Sequence, residues 1–201
     1  MSCNRINKEW RQQSKKQTGQ KNRSLTDFIH PEGDHIGLFA VTAGINIEEY
    51  IQEYQKDNDD YKDILIKAVA DRLAEASAEW LHEEVRKNTW GYAADENLPN
   101  EDLIREKYKG IRPAPGYAAC PDHSEKASIW KILEVEEKVG IKLTENYAMY
   151  PTASVSGYYF AYPEISYFGI GKIAEDQIES LSKAKGMDED QVRKFLRPNL
   201  D

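Results

Sequence analysis

The residues with the most chemical capacity stand together in Arg112-Pro113-Ala114-Pro115-Gly116-Tyr117. A guanidinium is a permanently charged planar fork that matches a carboxylate. Here it and a phenol ride on a backbone that proline stiffens, so little entropy is left to lose on binding. Gly116 allows a positive φ or the close approach of a ligand to the main chain. On residue chemistry alone two readings of Arg112 stay open: a ligand-binding fork, or a structural arginine stacked on an aromatic ring. A second cluster is Asp71, Glu75 and Glu79, bordered by Arg72 and His82. At i, i+4 and i+8 the three acids share one face of any helix that carries them. A solvated acidic face is the default. Like charges at this spacing repel by roughly a few tenths of a kcal/mol per pair, which invites a cationic or hydrogen-bonding partner.

Several other chemistries lack their residues. His30, His35, His82 and His123 have no partners at metal-ligand spacing, and Arg86 stands where a second histidine would follow His82-Glu83, so no metal site is expected. Gly169-Ile170-Gly171-Lys172 lacks the earlier glycine and the following Ser or Thr of a phosphate-binding loop. Ser154 and Ser156 lack a nucleophile elbow, and Cys120 precedes a proline rather than sitting in a protease signature. No catalytic residue is assigned.

The elements that must position these residues read as α+β. Ile36 to Thr42 is a short apolar run bounded by Gly33 and Gly44 and predicts a buried strand. A helix is expected near Ile47 to Gln55. A long one follows from Tyr61 to Arg86, where Leu65, Val69, Leu73, Ala76, Trp80 and Val85 recur at helical spacing behind Asp59 and Asp60. Asn100 predicts the N-cap of a short helix over EDLIREKY. GIRPAPGYAACPD, with Pro113, Pro115 and Pro121, is irregular. Asp122 and Glu125 form a capping pair for a helix to about Val139, ended by Gly140. Leu143 to Met149, Ser154 to Tyr162 and Ile165 to Ile170 read as three consecutive strands, and two helices close the chain near Glu175 to Ala184 and Asp188 to Leu196. The expected fold is a curved, mostly antiparallel sheet with a long helix and several shorter helices in a single domain over residues 25–201. Residues 1–24 read as a basic polar N-terminal arm with only Trp10 to bury.

Composition narrows the partners. With 27 Lys and Arg against 35 Asp and Glu in 201 residues the net charge is −8, so a sequence-independent grip on nucleic acid is not expected. A mean hydropathy of −0.75 and no apolar run approaching ~18 residues speak against a membrane span, and the polar start lacks a secretory apolar core. Two cysteines, one in the polar arm, fit a reducing cytoplasmic setting.

With these residues in view, the chain resembles the C-terminal activation (reactivation) domain of cobalamin-dependent methionine synthase, from about Trp10 to the C-terminus. The motifs, in order, are DDYKDILIKAVADRLAEASAEWLHEEVRK, WGYAADENLPNEDLIREKYKGIRPAPGYAACPDHSEK, KLTENYAM, ASVSGYYF, SYFGIGKIAEDQIE and PNL. The resemblance implies a module for methionine biosynthesis that binds S-adenosylmethionine for reductive methylation of cob(II)alamin. The cobalamin would be held by a partner domain or chain, and a flavodoxin-type reductase would supply the electron. Such a module is part of a methyltransferase system rather than an independent catalyst. Residue by residue, Arg112 resembles the contact to the methionine end of the ligand, with backbone groups at Ala114. Glu106 resembles an acidic contact to the sulfonium or amino group, Tyr167 and Phe168 the aromatic pair beside it, and Tyr117 the tyrosine that approaches the corrin. Asp71 and Glu75 resemble the surface that docks the cobalamin-binding module. The family's domain is longer on its N-terminal side and carries there an aspartate that contacts the ligand. This motivates an alternative: a non-catalytic docking or regulatory partner of a cobalamin-binding protein, without productive S-adenosylmethionine binding.

Overall fold

The computed structural model describes residues 10–14, 16 and 19–200; residues 1–9, the start of the expected basic arm and Cys3 with it, lie outside the described residues. Along the chain run β1 (Gly37–Thr42), α1 (Glu48–Lys56), α2 (Asp60–Glu84), α3 (Asn100–Ile104), α4 (Lys126–Leu133) and α5 (Val135–Val139). Then come β2 (Lys142–Leu143), β3 (Met149–Tyr150), β4 (Ser154–Tyr159), α6 (Glu175–Lys185) and α7 (Glu189–Leu196). The class is α+β, as expected, with its strands in two small two-stranded sheets, β1 with β4 and β2 with β3. No helix of the described residues is long and apolar enough to cross a membrane.

The chain divides into two compact units. The first comprises Met1–Gly37, Asn100–Ser124 and Tyr158–Asp201, the second Leu38–Pro99 and Glu125–Gly157. In the second unit α2 is started by Asp59, whose carboxylate accepts the Lys62 amide at 3.0 Å. Its buried row is Ala70, Ala74, Ala78 and His82. The apolar row expected from the periodicity points the other way: Leu65, Val69, Leu73 and Trp80 are 46%, 48%, 55% and 65% exposed. Both rows recur at helical spacing, and small alanines let neighbouring backbone come closer than leucine would. Size of apolar side chain was therefore the wrong guide to the buried face. The helix ends in a π turn, Val85–Thr89, that keeps Arg86 fully buried. Arg86 Nε and Nη2 donate to Glu96 Oε1 at 2.9 and 2.6 Å.

Two further expectations in this unit need correction. The predicted helix to Val139 breaks at Glu134, which takes a left-handed φ of 54°. Ile129, Trp130 and Val135 are all buried. At 3.6 residues per turn an unbroken helix would have turned Val135 to the far side, and the step at Glu134 brings it back. The predicted strand Leu143 to Met149 is instead a hairpin, with Lys142 opposite Tyr150 and Leu143 opposite Met149. Its tip is closed by Tyr147 N to Thr144 O and Thr144 N to Ala148 O, both 2.9 Å, with Tyr147 at φ 60°. In the other sheet Ala43 N and Thr42 Oγ1 both donate to Ala153 O, at 3.0 and 2.9 Å, so the end of β1 meets the start of β4 and the pair is antiparallel.

The first unit holds two apolar clusters. Trp10 packs with Ile170, Ile173, Ile178, Val192 and Leu196. It is therefore a core residue, and its neighbour Gln12 is also buried. Leu25, Ile111, Cys120, Phe160 and Ile165 form the other cluster. The predicted strand Ile165 to Ile170 is a loop. Its backbone groups are taken by turns and by other loops: Ile165 N donates to Tyr162 O at 3.1 Å and Ile170 N to Ala118 O at 2.8 Å. Gly169 O accepts the Gln12 side-chain amide at 2.6 Å. With those partners fixed, no ladder can form.

Candidate functional site

Arg112 lies in the first unit on an extended segment. Ile111 and Phe160 exchange backbone hydrogen bonds at 3.0 Å each way, and Tyr158 N donates to Pro113 O at 2.9 Å. Pro113 and Pro115 have no N–H to donate, and beyond Pro113 the chain folds into a tight loop instead. Gly116 N donates to Cys120 O at 2.7 Å, Tyr117 N to Ala114 O at 3.2 Å and Cys120 N to Tyr117 O at 3.0 Å. Gly116 has φ +95°, and a Cβ there would lie 2.1 Å from His123 Cε1. Only glycine satisfies both the conformation and the close approach of the ring. Tyr117 is thrown out at the tip, 68% exposed.

The Arg112 and Tyr167 side of this loop is held by phenols. Tyr167 Oη accepts the Arg112 amide at 3.0 Å, and Arg112 Nη1 donates to Tyr108 Oη at 3.0 Å. The two hydroxyls are 3.1 Å apart, and the guanidinium carbon sits 5.7 Å from the centre of the Tyr108 ring. Arg112 and Tyr167 are thus on one side of one small network, both half-buried. The stacked reading of Arg112 is also met, by Tyr108, which sequence reasoning had passed over. Its signal was present: it precedes Arg112 by four residues in REKYKGIRP.

Glu106 follows α3 in a left-handed conformation, φ 55°. Glu106 N donates to Leu103 O and Lys107 N to Asp102 O, both 3.0 Å. This is the Schellman pattern, whose left-handed position usually belongs to glycine. The carboxylate is exposed. Phe168 is half-buried against both apolar clusters and stands 6.0 Å from Phe28, so its ring serves the core as well as the surface. It also lines an open cleft of about 930 Å³ with Phe28, Tyr162, Arg11, Lys21 and Arg23. Beside that cleft Arg11 forks Asp27 at 2.7 and 2.6 Å, and this hydrogen-bonded guanidinium holds the Asp27 carboxyl below its ordinary range. Asp71 and Glu75 belong to the second unit, exposed on α2 one position beyond the buried alanines Ala70 and Ala74. Among the described residues no group of three or more His, Cys, Asp or Glu could hold a metal ion.

A family model described as the activation domain of vitamin B12 dependent methionine synthase matches residues 3–186. The chain belongs to this family. A solved crystal structure of the MetH reactivation domain bound to AdoHcy is similar to it throughout, at 53% sequence identity and a TM-score of 0.91, covering 95% of this chain. This activation-domain chain spans 60% of the length of that solved chain. Within it, Arg112 and Tyr167 come together in the first unit with Tyr108, and Ala114 lies in the loop that follows Arg112, its carbonyl accepting the Tyr117 amide. Tyr117 leaves the same loop in the open, and Glu106 is set on the left-handed step two residues before Tyr108.

Proposed function

We propose that this chain holds S-adenosylmethionine for the reductive methylation of cob(II)alamin, the reactivation of cobalamin-dependent methionine synthase. The observation that carries the reading is the Arg112, Tyr108 and Tyr167 network in a chain of the activation-domain family. AdoHcy, bound in the similar reactivation domain, is S-adenosylmethionine less its methyl group.

The donor set of this chain fits such a ligand. Arg112 offers a guanidinium to the amino-acid carboxylate, and the phenols of Tyr108 and Tyr167 fix its orientation before the ligand arrives. Ala114 offers backbone polar groups. Glu106 offers a carboxylate to the sulfonium or the amino group, and Tyr167 with Phe168 offers aromatic faces beside a cation. Bound cobalamin, held by another domain or chain, supplies the methyl-accepting cobalt. Tyr117, exposed at its loop tip, approaches the corrin in this reading, and Asp71 and Glu75 dock the cobalamin-binding module. The chain itself contributes position and electrostatics. A flavodoxin-type reductase as electron source and a cytoplasmic location belong to the same proposal.

Titration calorimetry of the purified chain with S-adenosylmethionine tests it. Saturable binding is expected, and Arg112→Ala weakens it by about 1.5–3 kcal/mol, the worth of a hydrogen bond to a charged group. Absence of heat at millimolar ligand refutes the reading. Association with a cobalamin-binding module under those conditions would leave a docking partner in its place.

A further inference from the structure

α2 carries three rows of different chemistry. One is the buried alanine row, one is the acidic row of Asp71 and Glu75, and the third is the exposed apolar row Leu65, Val69, Leu73, Ala76 and Trp80, with Tyr61 extending it. At 3.6 residues per turn the apolar row lies about 140° round the helix from Asp71 and Glu75. A module docked on the acids therefore does not cover it. The row exposes on the order of 600 Å² of largely apolar side chain, at the upper end of what a monomer leaves open. Its steps of four, four, three and four residues make a narrow seam of the kind that takes another helix.

Two observations say what that helix belongs to. First, the similar reactivation domain keeps the fold of this chain over 95% of it, yet two-fifths of that solved chain lies outside the match. Any additional polypeptide that packs on the matched part can take only surface that it leaves bare, and α2 offers the longest exposed apolar row among the described residues. Second, a second copy of this chain is a poor occupant. Arg72, exposed and without an ion-pair partner among the described residues, stands midway along the seam between Leu65 and Trp80. A two-fold pairing centred there would bring two guanidinia together between chains of net charge −8 each.

We infer that the exposed row of α2 is the seat of a helix from the segment by which the longer reactivation domain exceeds this chain. The occupant is amphipathic, four to five turns long, and carries an acidic side chain level with Arg72. The inference uses family membership and not the ligand reading, so it stands or falls without S-adenosylmethionine.

The test co-expresses this chain with the unmatched segment of the MetH reactivation domain as a separate tagged polypeptide, ligand-free. A one-to-one complex is expected by size exclusion with light scattering, together with a several-fold drop in acrylamide quenching of Trp80, the most exposed tryptophan described. The double variant Val69→Glu, Leu73→Glu lowers the affinity at least ten-fold, and Arg72→Glu lowers it several-fold. Circular dichroism checks that the variants stay folded. Fusing the same segment ahead of residue 10 provides a second measurement that does not require it to be soluble alone. A Trp80 that stays equally quenchable in the fusion overturns the inference. So does a complex that survives the double variant, or a homodimer of this chain that protects Trp80.

Discussion

Glu106→Gly separates the folding role of its position from the chemical role of its side chain. The residue occupies the left-handed step after α3, with Glu106 N on Leu103 O and Lys107 N on Asp102 O. A side chain with a Cβ costs roughly 1–2 kcal/mol in this conformation, and glycine removes that cost while adding some entropy to the unfolded chain. The net gain expected is about 0.5–1 kcal/mol, since both backbone hydrogen bonds persist and the exposed carboxylate has no packing to lose. In urea this moves the midpoint upward by roughly 0.3–0.5 M for a slope near 2 kcal/mol per molar. Affinity for S-adenosylmethionine should move the other way. Loss of one charged hydrogen bond, partly screened at an exposed site, weakens binding about ten-fold. Urea titration followed by circular dichroism and calorimetry on the same preparations measure both. A variant that is more stable and binds as tightly as the parent would refute the contact. A variant that is less stable would refute the account of the left-handed step. Stability gained with affinity lost is the signature of a position kept for function at the expense of folding.

Tyr167→Phe removes the acceptor of the Arg112 amide and should cost about 1–3 kcal/mol of stability; combined with Tyr108→Phe the losses should be non-additive by at least ~0.5 kcal/mol, and simple additivity in denaturation would break the network argument. Glu96→Ala leaves the fully buried Arg86 without the carboxylate it holds at 2.6 Å, so melting should show about 3–5 kcal/mol of destabilisation, far beyond an exposed pair. Asp27 has its folded pKa lowered, chiefly by the hydrogen bond from Arg11. Its contribution is therefore present above the unfolded carboxylate value of about 3.9 and is lost as pH falls through the lower folded value. Asp27→Asn should cost at most ~1 kcal/mol at neutral pH, given the exposure of the pair, and the two stability curves should converge in strong acid.

What the sequence made legible was local. Helix starts at Asp59 and Asp188, the left-handed stop at Gly140 and the irregular proline loop each depend on a few neighbouring residues, and each is where those residues put it. What it hid depended on distant partners. Ile165 to Ile170 has the composition of a strand, but its backbone is claimed by Ala118 and by the amide of Gln12, more than 150 positions away for the latter. Trp10 reads as a lone aromatic in a polar arm until Ile170 and Leu196 are seen around it. In the site, Arg112 was marked by its own chemistry and its prolines. Tyr108 was not, because a tyrosine acquires a role only from what its ring and hydroxyl meet.

The α2 rows carry that point furthest. Periodicity identified an apolar face and could not say whether this chain buries it. A helix with alanines on one side and leucine, valine and tryptophan on the other has two faces that could be covered, and the compact unit uses the alanines. Burial on the larger face would have removed more apolar area from water, so its exposure would be costly in a chain that never met a partner. The same surface is inexpensive where, as inferred above, a helix from outside the matched region covers it. Stability of the isolated chain should then rise with concentration of that polypeptide, as linkage requires. An increase in thermal midpoint on titrating the segment, absent with Val69→Glu, Leu73→Glu, is the expected outcome.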